Sequence, residues 1–430
     1  MKVKTISPFT ILLSSISVFI FGIVVLFNIS FISKLTLNMI SIYLLIIGVL
    51  HILSYLFNKK NTMLGKLSLG MLYIILSLSI KLHPEFFRIS AVRIIGIYAF
   101  LNFLARTTAA LILYKNKVKG WLFGLIVSLM SLIFSFVLLF HPQEYMIFVS
   151  KLAGIYVVLY SLTLLADFFK EISDENIVPD KLKRKVRIGL PLLYSAFIPQ
   201  QLLEKINEFV KVNPTESTFI ENKWTIHKDK PYSTVDIFIH LAPDCANGFG
   251  HIDISFENTT YSYGTYDSSS NRLFTLVSDG VLIEVKTDKY IEILNTQFDR
   301  SLIGFTLALT KDQHELIKNR INKIKSNCYS WKCPAQLDPN ADYKDETNIM
   351  YIEANCKYYK FKSGYFKTYF TLASNCVRLA DTIVGSAGLD LIAVNGIITP
   401  GTYYNYLENL FRRKNTIVIE KKIYKKHINN

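Results

Sequence analysis

Six long apolar runs, one directly after another, constrain this chain before anything else does. They cover Phe9–Phe27, Met39–Phe57, Leu64–Ile80, Ile89–Tyr114, Trp121–Phe140 and Tyr145–Phe169. Each is about as long as a helix needs to cross roughly 30 Å of hydrocarbon. A backbone in that medium must satisfy its own hydrogen bonds, and a helix does so within one segment. The first run does not read as a cleavable leader, because no small-residue cleavage site is evident and further spans follow at once. The pattern predicts a multi-domain chain: an all-α six-helix transmembrane domain over residues 1–170, then a soluble α+β part.

Charge divides the chain in the same way. The 430 residues carry a net charge of +15. Residues 1–170 hold 15 Lys and Arg against Glu85, Glu144 and Asp167, a net of +12, which leaves +3 for all that follows. The second part therefore has no basic stripe, and a nucleic-acid partner is excluded as the reason for the high pI. Basic residues in short loops orient the spans. Lys2 and Lys4, then Lys59, Lys60 and Lys66, then Lys115, Lys117 and Lys119, then Lys181 to Arg187 all fall on one side. This predicts an integral protein of a bacterial plasma membrane with both termini in the cytoplasm and the lipid bilayer as its first partner.

The spans also repeat. Leu82-His83-Pro84-Glu85 returns as Phe140-His141-Pro142-Gln143, and Gly96-Ile97-Tyr98 returns as Gly154-Ile155-Tyr156, both 58 residues on. Ser41-Ile42-Tyr43 is a weaker first copy. Three helical hairpins of one design follow from this period. In its hairpin count, repeat and hydropathy the segment over about 9–170 resembles the HdeD/DUF308 six-span membrane family. Its intramembrane ionisable groups include His51, Arg106 and Asp167, the first two at equivalent repeat positions. They define no continuous polar path, so the half reads as an anchor rather than a transporter.

Residues 171–229 read as a basic linker with an amphipathic helix over Pro191–Val210. A domain is expected over 230–411 and a basic tail over 412–430. Strands are predicted at Val235–Leu241, Gly250–Glu257, Thr260–Asp267, Val281–Val285, Tyr290–Leu294, Ser301–Leu309 and Gly364–Leu372. Helices are predicted at Lys311–Lys325 with Thr310 as N-cap, from Cys376, and over Gly401–Phe411.

Ser374-Asn375-Cys376-Val377-Arg378 places a thiol behind two small polar residues at the start of an apolar pattern of helical spacing. A helix N-terminus lowers a thiol pKa and favours the thiolate. The competing reading is a cysteine that only packs. The five cysteines are odd in number and imply no disulfide framework. Cys328, Cys333 and Cys356 lack the ligand spacing of a zinc site, and neither metal nor cofactor is expected.

Gly250-His251 on a strand, Tyr261-Ser262-Tyr263-Gly264 on the next, Asn375-Cys376 opening a later helix and Ile398-Thr399-Pro400-Gly401-Thr402-Tyr403-Tyr404 follow one another in order. Over about 230–411 this resembles the circularly permuted papain-like branch of the NlpC/P60 superfamily. That branch includes lecithin:retinol acyltransferase-like enzymes and bacterial amidase-like families. The resemblance implies Cys376 as nucleophile and His251 as its base. It places a third polar group about twelve residues after the histidine, here at Tyr263, where the family commonly has His, Asn, Gln or an acid. Asp253 and Asp267 are alternatives for that role. His240, on an apolar strand, reads as structural.

The implied activity is amide or ester hydrolysis, or acyl transfer, through a thioester. With a cytoplasmic domain the substrate would be lipid or lipid-linked at the inner leaflet. An extracytoplasmic domain would favour cell-wall peptide cleavage or lipoprotein acylation. An inert site would leave a membrane stress-response or binding module.

Overall fold

The structure, a computed structural model, describes residues 7–57, 64–172, 218–222, 231–241, 250–298, 300–385, 399–413 and 416–424. The expected helix over Pro191–Val210, the basic cluster of Lys181 to Arg187 and the loop from Pro243 to Phe249 lie outside these residues. So does the end of the chain beyond Tyr424. Two compact units are present: one holds residues 13–107 and 123–164, the other residues 1–12, 108–122 and 165–430.

The apolar runs form six helices: α1 Pro8–Phe27, α2 Ile29–Phe57, α3 Leu64–Leu82, α4 Pro84–Lys115, α5 Trp121–Phe140 and α6 Pro142–Ile172. All six are long and apolar enough to cross a membrane. Pro84 and Pro142 begin helices, where the missing N–H costs no intrahelical bond. Packing is reversed from that of a water-soluble bundle. Buried side chains include Ser15, Ser41, Ser77, Ser128, Ser135 and Ser161, while Phe123, Ile133 and Phe27 are 73%, 65% and 84% exposed. Small polar residues between helices and large apolar ones outside suit a lipid solvent.

The helices alternate short and long: 20, 29, 19, 32, 20 and 31 residues. Residues one repeat apart make equivalent contacts. Ser41 on α2 meets Ser77 on α3, Oγ to Oγ at 3.0 Å. One repeat on, Ser135 Oγ of α5 donates to the Gly96 carbonyl of α4 at 2.8 Å. In the third copy the α6 glycine packs on α1: a Cβ at Gly154 would lie 3.0 Å from Leu26 N, and one at Gly22 would lie 2.8 Å from Val158 Cγ2. Each long helix thus packs on the short helix of the next repeat, and the last closes on the first.

In the other unit the strands are β1 Thr218–Asn222, β2 Ser233–Leu241, β3 Ile252–Phe256, β4 Thr259–Gly264, β5 Val277–Asp279, β6 Val281–Lys286, β7 Ser301–Leu309, β8 Cys328–Trp331, β9 Lys357–Phe361, β10 Thr368–Phe370 and β11 Val418–Tyr424. Its helices are α7 Thr287–Gln297, α8 Lys311–Ser326, α9 Glu346–Ala354, α10 Cys376–Val384 and α11 Pro400–Phe411, with a short turn at Pro334–Leu337. Nine strands form one antiparallel sheet in the order β1-β11-β7-β2-β3-β4-β6-β9-β8, and β5 pairs with β10 apart from it.

Period-two alternation gives the sheet two buried faces. Val235, Ile237, Ile239, Ile252, Ile254 and Phe305 pack on one side with side chains of α8, α10 and α11. Val281, Ile283 and Val285 pack on the other side with Tyr290, Ile293 and Leu294 of α7 and Met350 of α9. The α8 N-terminus is closed by a capping box between Thr310 and Gln313.

Two expectations are corrected. Tyr290–Leu294 lies in helix α7, not in a strand. Tyr290, Ile293 and Leu294 are buried at i, i+3 and i+4, whereas Lys289 and Glu292 form an exposed pair at 2.8 Å on the opposite side. The short apolar run is common to both periods, and packing selects the helix. Residues 412–430 are also more than a basic tail. Strand β11 lies between β1 and β7, with Val418 and Ile419 buried. Lys421 and Lys422 mask this strand in the sequence, yet Lys421 is held by Glu408 at 2.9 Å.

Candidate functional site

Gly250, with φ of +66°, brings the chain into β3 in a conformation that favours glycine. Strands β2 and β3 pair Phe238 with Asp253 and Ile239 with Ile252. One step further, His240 N–H donates to the His251 carbonyl at 2.9 Å. Residues opposite or two apart share a face, so His240, His251 and Asp253 stand together. The two imidazoles lie 5.0 Å apart, nearly perpendicular.

Asp253 is the fixed centre of the group. Its side chain is fully buried, and His251 keeps 20% of its own exposed. Asp253 Oδ2 lies 2.5 Å from His240 Nε2 and accepts from Tyr290 Oη at 2.7 Å. Asp253 Oδ1 lies 2.9 Å from His251 Nε2. The same Nε2 is 3.0 Å from Ser262 Oγ, which is 2.6 Å from Tyr266 Oη. With Nε2 so engaged, Nδ1 is the ring nitrogen left for the thiol.

Cys376 is the first residue of α10. Asn375 caps this helix, accepting from Arg378 N–H at 3.0 Å through its side chain. Asn375 Nδ2 also donates to the Thr371 carbonyl at 2.8 Å, and Ser374 Oγ to the Thr368 carbonyl at 2.6 Å. These bonds fix the turn that presents the thiol. Tyr369 Oη stands 4.0 Å from Cys376 Sγ.

The charges support one another. Burial opposes ionisation of Cys376, but the His251 imidazolium, its hydrogen bond and the Ile252 backbone N–H lower the thiol pKa below its usual value. Burial likewise opposes charge on His251; Asp253 first and Cys376 second outweigh it, and the imidazole pKa rises well above normal. Asp253 would be raised by burial, yet His251 and His240 hold it well below the carboxylate range. His240 is shifted the other way: burial lowers its pKa despite Asp253. The arrangement favours a thiolate–imidazolium pair backed by a carboxylate, with a second, neutral imidazole behind it.

Of the residues singled out in the sequence, Cys376, His251 and Asp253 come together. Tyr263 does not join them. The β3–β4 register pairs Ile254 with Tyr261 and Ser255 with Thr260, so Tyr263 falls opposite Ile252 on the other face. Its hydroxyl donates to the Phe366 carbonyl at 2.9 Å, and burial raises its pKa. Ser262, one residue earlier, is the β4 side chain on the His251 face. Asp267 lies elsewhere too, bound to Ser269 and to Lys360 at 2.6 Å. Ser262, Tyr266 and Tyr290 carried no sequence signal of their own. The β3–β4 turn at Glu257 and Asn258 sets the register that would have pointed to Ser262.

Cys328 packs on one face of the sheet, Cys333 and Cys356 on the other. No group of three His, Cys, Asp or Glu residues suited to a metal ion occurs among the described residues. In the membrane unit, the His51 and Tyr73 rings lie 5.7 Å apart and tilted, and Arg106 Nε donates to Asn102 Oδ1 at 3.1 Å. Asp167 lies in α6, but its side chain is outside the described set.

Residues 13–82 match the family described as "Short repeat of unknown function (DUF308)". The matched stretch covers most of α1, all of α2 and α3, which is one hairpin and the next short helix. With the six apolar helices it supports an integral membrane region. No curated protein and no solved structure matches the chain.

Proposed function

We propose that this chain is a membrane-anchored cysteine hydrolase or acyltransferase of the permuted papain-like type, acting on a lipid or lipid-linked ester or amide at the inner leaflet. One observation carries the reading: Cys376 opens a helix close enough to His251 for each to shift the other's pKa, and buried Asp253 Oδ1 lies 2.9 Å from His251 Nε2. This is the relation of nucleophile, base and orienting group that acyl transfer requires.

In the first step the Cys376 thiolate attacks the carbonyl carbon. The C–O or C–N bond of the substrate breaks, and His251 gives its proton to the departing oxygen or nitrogen. The Cys376 and Val377 amides, in the first helical turn, have no intrahelical acceptor. They would support the negative oxygen of the tetrahedral intermediate. In the second step water or an amine attacks the thioester, His251 takes its proton, and the thiolate is regenerated. Asp253 stays ionised throughout and holds the imidazole. His240 and Tyr290 hold Asp253 in turn, and act through it rather than on substrate.

The side of the membrane is supported by the loops. Lys115, Lys117 and Lys119, together with Lys59, Lys60 and Lys66, fall on the side expected for the cytoplasm. Tethering to the bilayer raises the effective concentration of a lipid substrate.

The test is turnover of a fluorogenic lipid ester and a lipid amide by full-length protein in nanodiscs. Cys376→Ala should abolish it, and His251→Ala should lower it by about 10²–10⁴-fold. Wild-type rates in Cys376→Ala would remove the nucleophile from the account.

A further inference from the structure

Residues 271–277 form a tight hairpin between the 3₁₀ turn at Ser268–Ser270 and β5. Arg272 N–H and Val277 N–H each donate to the other's carbonyl, at 2.8 and 3.2 Å, and Leu276 N–H donates to the Leu273 carbonyl at 3.1 Å. The turn therefore has Phe274 and Thr275 at its centre. Leu273, Phe274 and Thr275 have φ of 48°, 54° and 69°. Hairpin turns with positive φ at both central positions strongly favour Asn-Gly or Gly-Gly, and a bulky aromatic or β-branched residue is strained there. The turn leaves three apolar side chains facing outward. Phe274 is 98% exposed, Leu273 59% and Leu276 41%, with Arg272 beside them 64% exposed.

We propose that this Leu273-Phe274-Thr275-Leu276 tip is a membrane-interface anchor, seated in the headgroup and upper acyl region of the same bilayer that the chain spans. Three arguments choose lipid over a protein partner. The chain carries six bilayer-length apolar helices, so a lipid surface is permanently within reach. Within the same compact unit, Asn116, the residue after the last of α4, bonds Thr368 of β10: Nδ2 donates to Oγ1 at 3.2 Å and Oγ1 to Oδ1 at 3.3 Å. Strand β10 pairs with β5, which leads directly from the tip. The composition also fits, an aromatic and two leucines beside one arginine being the pattern of an interfacial contact.

The tip is joined to the thiol site by a short path. Thr371 N–H donates to the Leu276 carbonyl at 3.0 Å, and Asn375, which caps the Cys376 helix, donates to the Thr371 carbonyl at 2.8 Å. That path ties the tip to the turn that presents Cys376. The lipid contact itself stands apart from the Cys376 chemistry.

The test uses Phe274→Trp in the full chain, reconstituted in nanodiscs with lipids brominated at a shallow acyl position. Native Trp121, Trp224 and Trp331 are subtracted with the parent protein. The added emission should fall about twofold with brominated lipid and resist aqueous iodide. Quenching by iodide but not by bromine would overturn the proposal. So would quenching by neither, which marks a tip buried against protein. A second variant keeps the fold out of the result: Phe274→Asn with Thr275→Gly suits the turn, should not lower the melting temperature, and should loosen the tip from lipid, with faster amide exchange along β5 and β10. Unchanged exchange there in the nanodisc would equally count against it.

Discussion

Asp253→Asn separates the role of this carboxylate from its position. The proposed catalysis needs the thiolate of Cys376 and the imidazolium of His251 together, so its active window would run from the lowered thiol pKa up to the raised imidazole pKa. These belong to the pair rather than to either residue alone. Asp253 is the chief group raising His251. Its neutral amide should move the alkaline limb of the rate profile to lower pH, by about one to two units, while the acid limb stays defined. The same shift bears on stability. The contribution of protonated His251 is fully present below its unfolded pKa and is lost as pH rises through the folded one; that of Asp253 is lost only as pH falls through its depressed pKa. Tyr263→Phe is the contrast: it forfeits one bond to the Phe366 carbonyl, at about 1 kcal/mol, and should leave both limbs in place. An unmoved alkaline limb in Asp253→Asn, or a moved one in Tyr263→Phe, would assign the orienting role elsewhere. The proposed nucleophile and base could be singled out in the sequence because a thiol behind a capping asparagine and a histidine beside a glycine are local patterns. For the third group the sequence offered Tyr263 first and Asp253 only as an alternative, because sequence spacing counts residues while a sheet sorts them by face, and an offset of one residue reverses the face.

At the scale of elements, most strands are legible from alternation, and the expected Ser301–Leu309 coincides with β7 to the residue. Helix α7 is not, since its apolar run is too short to show a period, and it brings Tyr290 to Asp253. Strand β11 is not either, because its lysines read as tail. Both are settled by contacts distant in sequence. The placement of β11 predicts a cost at a position that a solvated tail would not feel. Ile419→Ala should destabilise by about 2–4 kcal/mol, seen as a melting temperature several degrees lower for the full chain in detergent. An unchanged melt would mean that β11 is dispensable to the sheet.

For the whole molecule, the repeat and the membrane character are plain in the sequence, because the spans must be long and apolar and because His-Pro pairs recur. What the sequence does not disclose is how the repeats meet. Ser41–Ser77, Gly96–Ser135 and the close approaches at Gly22 and Gly154 stand at equivalent positions on successive long and short helices, and small residues let the backbones approach. Gly154→Leu should therefore break the closure of α6 on α1, where a Cβ alone meets Leu26, and make the membrane unit protease-sensitive in mild detergent. Equal resistance in mutant and wild type would show that the contact is not needed. The central claim joins the two halves: a membrane-held domain that keeps Cys376 ionised for acyl chemistry. Its most direct measurement is the pH dependence of Cys376 alkylation by iodoacetamide, resolved by peptide mass spectrometry on the full chain in nanodiscs. The account predicts alkylation already well below pH 8 and a rise in the apparent thiol pKa in His251→Ala. A rate that climbs only through about pH 8.5, as for a free thiol, and that is indifferent to His251 would contradict it.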